Sequence, residues 1–349
     1  MMPIEVLETA QAELTDWRGS GMSVMEVSHR GKDFIACAAS AEQGIRRLLG
    51  VPDDYRVLFL QGGASGQFAA IPMNLTKPGD TAAYLNTGQW STKAIKSAKT
   101  QLLNVDVLAD EAETKYTAIP AAGSYVVPSD AAYLHYTPNE TINGVEFDYV
   151  PETGDVPLVA DFSSTIMSRP IDVSQYGLIY AGAQKNLGPA GLAVVIVRED
   201  LIGNARSTTP DIWDYTAMAN ADSMLNTPPT FAVYLLGLVL DWIDASGGLT
   251  AMAARNQAKA SSLYAAIDSS EFYANPVAVN ARSWMNVPFT LADSSLDAEF
   301  LAQAQQRGLT NLAGHRAVGG MRASIYNAMP QAGVDALIDF MTDFANQRG

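Results

Sequence analysis

The sequence predicts an α/β fold: a large domain over residues 1–248, with a mostly parallel sheet covered by helices, and a smaller C-terminal α+β domain over 249–349. Three observations lead there. Between about Tyr55 and Val197, short apolar runs end repeatedly in Gly, Asn, Asp or Thr, with helical patterns between some of them. Those runs are continuously apolar rather than alternating, as expected of strands covered on both faces. After Gly247-Gly248 the texture changes to an Ala-rich helical stretch followed by mixed elements.

The elements follow in order. Arg56-Val57-Leu58-Phe59-Leu60 reads as a strand closed by Gly62-Gly63, with a helix through Gln67-Phe68-Ala69-Ala70. Ala83-Tyr84-Leu85 ends at Asn86-Thr87-Gly88 and precedes a Lys-rich helix from Thr92 to Lys99. Ala132 to Tyr136 ends at Pro138-Asn139, and Pro157 to Ala160 ends at Asp161. Gly177 to Ala181 stops just before Lys185, and Ala193 to Val197 follows. After Pro228-Pro229 a long apolar helix runs to about Ala245, with Thr227 as its expected N-cap. Beyond it come the Ala-rich helix, the segment Ser283 to Phe289, and a helix near Ala298 to Gly308. Ligands of such sheets sit at the carboxyl ends of the strands, where these polar residues fall.

Composition narrows the function. With 48% hydrophobic and 17% charged residues, the chain is long enough for a large and a smaller core. A formal net charge of −15 argues against nucleic acid or an anionic membrane as partner. The single Cys37 excludes an internal disulfide and reads as a buried helix residue. Three histidines without ligand spacing make a structural metal site unexpected, and His135 reads as a core histidine. Met1 to Glu5 lacks a basic or apolar leader, and the longest apolar run, Phe231 to Leu240, is too short to cross a bilayer. A cytoplasmic enzyme or binding protein is expected.

Lys185 stands in Ala181-Gly182-Ala183-Gln184-Lys185-Asn186-Leu187-Gly188, a loop of small residues between two strand-like runs. Lysines are usually solvated surface residues, but an unpaired ammonium between buried strands is costly. A covalent imine removes that cost, and desolvation lowers the pKa so that the free amine works as a base. Asp161 ends the preceding strand, 24 residues upstream. A pyridoxal cofactor needs a carboxylate at its ring nitrogen, although a strand-end aspartate read alone is also a turn residue. Gly62-Gly63-Ala64-Ser65-Gly66 lies between a strand and a helix, where backbone N–H groups and the helix dipole bind phosphate. It lacks the Gly-Lys-Ser/Thr ending of a nucleotide loop. Trp90 could stack on a flat ring or fill the core. Arg30, Arg316 and Arg322, with His29 and His315 beside the first two, concentrate cations in an acidic chain. Each arginine alone reads as a surface ion pair; together they suit a substrate with more than one anionic group.

These residues resemble the phosphoserine aminotransferase family of class V, fold-type I pyridoxal-phosphate enzymes, over nearly the whole chain. The resemblance rests on Gly21 to Arg30, Gln67 to Leu75, Asn139-Glu140-Thr141-Ile142-Asn143-Gly144-Val145, and Gly314 to Pro330. It implies transfer of an amino group from L-glutamate to 3-phosphohydroxypyruvate, giving O-phospho-L-serine and 2-oxoglutarate by a ping-pong route in L-serine biosynthesis. In some bacteria it also implies a step toward pyridoxal phosphate. Lys185 then resembles the Schiff-base lysine, Asp161 the ring-nitrogen partner, Trp90 the stacking aromatic and Thr141 the ligand of the ring's phenolic oxygen. Ala64, Ser65 and Gln184 resemble a phosphate cradle, joined by Asn226 and Thr227 from the neighbouring subunit of a homodimer. Arg30 and Arg322 resemble carboxylate ligands; His29, with His315 and Arg316 of the neighbour, resembles the pocket for the second anionic group.

Two departures stand out. Some relatives carry an arginine where Ser65 stands, leaving this cradle one cation fewer. Family members begin with an Asn-Phe-x-x-Gly-Pro segment, whereas this chain starts Met1-Met2-Pro3-Ile4-Glu5-Val6-Leu7, with its first residues expected to pack on the small domain. If that segment roofs the site, a weakly active cofactor-binding protein is the alternative expectation. Another class V transaminase of the alanine or serine–glyoxylate type is a second, which the arginine set disfavours.

Overall fold

A computed structural model of the chain describes residues 1–349 except 102, 103, 317 and 349. Residue 317, within the Gly314 to Pro330 stretch, and residue 349 at the end of the small domain therefore lie outside the described residues. The chain begins with α1 (Ile4–Ala12) and α2 (Lys32–Leu49). Then follow β1 (Tyr55–Leu60), α3 (Gly63–Leu75), β2 (Thr81–Asn86), α4 (Gln89–Lys99) and β3 (Asn104–Asp110). Short strands β4 (Leu134–Tyr136), β5 (Asn139–Glu140) and β6 (Val145–Glu146) precede β7 (Leu158–Asp161), β8 (Leu178–Gly182) and β9 (Ala193–Arg198). The rest is α5 (Tyr215–Asn220), α6 (Thr230–Ala245), α7 (Gly248–Asp268), β10 (Tyr273–Ala274), β11 (Asn286–Leu291), α8 (Asp297–Gln306), β12 (Met321–Ser324) and α9 (Gln331–Arg348).

Seven strands form one sheet in the order β1-β9-β8-β7-β4-β2-β3. The pairs from β8 through β7, β4 and β2 to β3 are parallel. Strand β9 runs against both β8 and β1. The sheet is mostly parallel with one reversed strand. Its residues alternate between two cores. Phe59, Leu85, Leu158 and Val194 pack with Phe34 and Ile45 of α2 and with Leu236 and Leu240 of α6. Leu58, Tyr84, Val159 and Val195 pack with Phe68 of α3, Ile95 of α4 and Met218 of α5. Helices on both faces explain why the strands carry no polar alternation.

A second sheet, β10-β11-β12, is antiparallel. It packs with α7, α8 and α9 around Leu263, Phe289, Phe300 and Phe340, a third core. Helices α6 and α7 meet at an 83° bend. Gly247 and Gly248 take φ of +98° and +71° there, a conformation costly for other residues.

Two local expectations change. Thr227 is not the N-cap of α6: the helix starts at Thr230, its cap position is Pro229, and no side chain caps it. Proline disfavours helical geometry in the residue before it, which keeps Thr227 and Pro228 outside the helix. The Ala132 to Tyr136 strand shortens to Leu134–Tyr136. Continuous apolar character does not mark edge strand β3, because Asn104-Val105-Asp106-Val107 alternates and is only partly buried. Among the described residues no single helix is long and apolar enough to cross a membrane.

Candidate active site

The loop 183–192 leaves β8 and returns as its antiparallel neighbour β9, closed by Ala183 N–H donating to Leu192 O at 2.9 Å. Gly182 enters it, and a Cβ there would stand 2.8 Å from Gln184 Oε1. From this loop Lys185 Nζ donates to Thr141 Oγ1 at 2.5 Å. It lies 5.6 Å from the Trp90 ring centroid. Burial lowers the lysine's pKa to about 8, opposed by the charges of Asp161 and Glu140 and assisted by Arg322. Near neutral pH a useful fraction is free amine, the form that attacks a carbonyl or takes a proton.

Asp161 ends β7 and is 3% exposed. Its Oδ1 accepts from Ser163 N–H at 2.9 Å and from Ser163 Oγ at 2.5 Å. Ser163 Oγ in turn accepts from Gly182 N–H at 2.9 Å, tying the aspartate to the start of the lysine loop. Burial pushes the Asp161 carboxyl up, while the Ser163 bonds, the Lys185 charge and Tyr180 pull it down. Tyr180 OH also bonds His135 Nε2 at 2.8 Å, and burial lowers that histidine to about 3, so the imidazole is neutral. His135 is a core residue as expected, but it belongs to the shell of this site.

Ala64, Trp90, Thr141, Asp161, Gln184 and Lys185 line one cavity together with Thr137, Asn139, Ser163 and Ser164. Where Ala64 lines it, Gly62 and Gly63 take φ of +91° and +58°, which turns β1 straight into α3. The first N–H groups of a helix have no internal acceptor and attract anions. Trp90 Nε1, Thr137 Oγ1 and Asn139 Oδ1 are buried without a hydrogen-bond partner, although such atoms are ordinarily paired. Orphaned polar groups, an indole, a buried carboxylate and a depressed lysine around one cavity fit a flat, phosphorylated, cationic-ring cofactor such as pyridoxal phosphate.

The other expected residues are placed less centrally. Arg322, on β12, reaches toward the cavity: its Nη1 donates to Thr141 O at 3.4 Å, while its buried Nε has no partner. Ser65 is exposed at the start of α3. Asn226 and Thr227 lie on the approach to α6, where Gln61 Nε2 donates to Thr227 O at 3.3 Å. His29, half-buried with an unpartnered Nε2, and exposed Arg30 precede α2. His315 and Arg316 are exposed on the turn before β12. None of these last seven residues lines the Lys185 cavity. Met1 to Pro3 approach Lys185 from another side, lining a small cavity with Asn186, Trp242, Asn327 and Ala328. An adjoining cavity of about 840 Å³ carries them on to Lys259 and Gln331. Thr137, Ser163 and Tyr180 gave no local sequence signal, because their role depends on strands brought together by the fold.

Residues 1–337 match the family described as Aminotransferase class-V. The chain is 59% identical over 348 residues to a phosphoserine aminotransferase of Pseudomonas putida, covering 100% of this chain and 96% of that one. It is similar to the solved phosphoserine aminotransferase of Bacillus circulans subsp. alkalophilus, with TM-score 0.98 and 48% identity, covering 100% and 97% of the two chains. A Trichomonas vaginalis phosphoserine aminotransferase solved with pyridoxal phosphate bound gives TM-score 0.93 and 42% identity, over 98% and 97% of the chains.

Proposed function

This chain belongs to the class-V aminotransferase family, and from that premise we propose that it moves the amino group of L-glutamate onto 3-phosphohydroxypyruvate, the phosphoserine aminotransferase reaction of L-serine biosynthesis, in the cytoplasm. The observation that carries the reading is the single cavity in which Lys185 Nζ, Thr141 Oγ1, the Trp90 ring and buried Asp161 meet. When bound, pyridoxal phosphate supplies an aldehyde conjugated to an electron-accepting ring. Asp161 would keep the ring nitrogen protonated, with Ser163 fixing the carboxylate's angle. Trp90 would cover the ring, and Thr141 would bond its phenolic oxygen. Ala64, Ser65 and Gln184 would hold the phosphate. Lys185 anchors the cofactor, and its Nζ as free amine carries the proton from and back to the substrate's Cα.

Arg322 binds the substrate carboxylate through the edge that Thr141 does not use. Both donor and acceptor carry two anionic groups, so one arginine set serves both half-reactions. We assign Arg30 and His29 to that set. Asn226 and Thr227 at the cofactor phosphate, and His315 and Arg316 at the substrate, come from the second subunit of a homodimer. This is supported by the exposure of Thr227, His315 and Arg316 and by the position of all four residues away from the cavity of their own chain. We divide the chain into a cofactor domain of residues 1–248 and a smaller domain of 249–349, which brings Arg322 to the site.

The test is spectroscopic. Purified protein loaded with pyridoxal phosphate is expected to change spectrum on adding glutamate and to revert with phosphohydroxypyruvate. Lys185→Ala is expected to abolish turnover while circular dichroism remains that of the folded protein; full retained activity would refute the site.

A further inference from the structure

Glu140 is 0% exposed, forms no salt bridge among the described residues, and is not required by the reaction as described. One carboxylate oxygen accepts from Trp90 N–H at 2.9 Å. The other accepts from Ser91 N–H at 2.8 Å and lies 2.7 Å from Ser91 Oγ. Both N–H groups belong to the first turn of α4, which otherwise leaves them without acceptors. The carboxylate thus holds the helix start that carries Trp90, from a residue 50 positions away in sequence. On its other side it is bonded through the chain to Thr141, the acceptor of Lys185 Nζ. The fit leaves no slack: a Cβ on Gly88 would stand 2.5 Å from the Glu140 carboxyl carbon.

We propose that Glu140 is a positioning residue of the aminotransferase site, a clamp that sets the Trp90 ring and the Thr141 hydroxyl relative to each other and keeps a carboxyl group next to the residue that holds Lys185. The inference rests on the cofactor reading above and deepens it. A glutamine cannot replace the carboxylate, because its amide N–H₂ would face one of the helix N–H donors and leave a donor–donor contact. Aspartate keeps the charge but falls one methylene short of α4. The charged groups around Lys185 are Asp161 at the end of β7, Arg322 on β12 and Glu140 itself. Neutral Tyr326 also lies near Thr141. Removing Glu140's charge therefore shifts the balance at Lys185 toward the free amine.

The experiment compares wild type, Glu140→Gln, Glu140→Asp and Ser91→Ala. Pyridoxal-phosphate affinity is measured by absorbance titration. The pH midpoint of Lys185 acylation in the cofactor-free protein is read by mass spectrometry. Glu140→Gln is expected to weaken cofactor binding roughly tenfold, the loss of a charge-assisted bond set, and to move the acylation midpoint downward. Glu140→Asp is expected to weaken binding while leaving the midpoint near that of wild type. Should Glu140→Gln fail to fold, Ser91→Ala carries the test, with a few-fold weaker affinity expected. Wild-type affinity in the folded Glu140→Gln or Ser91→Ala protein overturns the clamp. So does an unmoved midpoint in Glu140→Gln, because a merely structural glutamate would lower thermal stability without touching Lys185. A wild-type chain that binds no pyridoxal phosphate sinks the underlying cofactor reading instead, a result separate from either.

Discussion

At the scale of single residues, the chemistry turns on how burial changes ordinary side chains. Lys185 has its pKa lowered to about 8 chiefly by desolvation. Its neutral fraction therefore rises as pH rises through that value and levels off above it. Cofactor capture by the cofactor-free protein, followed by absorbance between about pH 6 and 10, is expected to accelerate along that curve; a rate falling with pH would contradict the assignment. Arg322 offers a buried, unpartnered Nε beside a spent Nη1. Arg322→Lys loses the planar fork, so kcat/KM for glutamate and for phosphohydroxypyruvate is expected to fall together, each by roughly 10- to 100-fold. Impairment of one substrate alone would argue for separate pockets. Lys185 and Asp161 were legible because a charge at the end of an apolar run demands a reason. Glu140 and Ser163 were not, since their partners are set by the meeting of distant strands rather than by spacing.

At the scale of elements, continuous apolar character identified β7, β8 and β9, whose residues face covered cores on both sides. It could not reveal the direction of β9, because burial is blind to strand polarity. The hairpin β5–β6, which carries Thr141 between its strands, shows how tightly an element can be held. Its Gly144 has φ +68°, and a Cβ would stand 2.4 Å from Pro288 Cδ and 2.5 Å from Asn286 O. Gly144 O also accepts from Ser283 N–H at 3.1 Å, docking the hairpin tip against the segment leading into β11. Gly144→Ala combines a left-handed backbone with overpacking and is expected to cost about 2–4 kcal/mol in urea unfolding. A loss below about 1 kcal/mol would mean that the hairpin can shift freely.

At the scale of the whole molecule, the formal charge of −15 gives no general attraction for anionic substrates, so the proposed reaction would need arginines brought to the site locally. Arg316 is exposed and outside the cavity of its own chain. If it serves the neighbour's site, Lys185→Ala and Arg316→Ala chains should each be impaired alone. Mixed at equal amounts under conditions of subunit exchange, they should recover activity in roughly a quarter of all sites, since half the pairs are hybrids with one intact site each. Activity no greater than that of Arg316→Ala alone would show that each chain builds its site unaided.

The reversal of β9 has a mechanical consequence. The reactive amine rides on ten residues anchored at both ends in adjoining strands, and Ala193 to Val197 have no exposed surface. Such a mounting gives the backbone at position 185 little room to travel, so reach during a catalytic cycle falls to the side chain's four-carbon tether. Amide protons of β8 and β9 should then be among the last to exchange with deuterated solvent, released only when the entire fold opens.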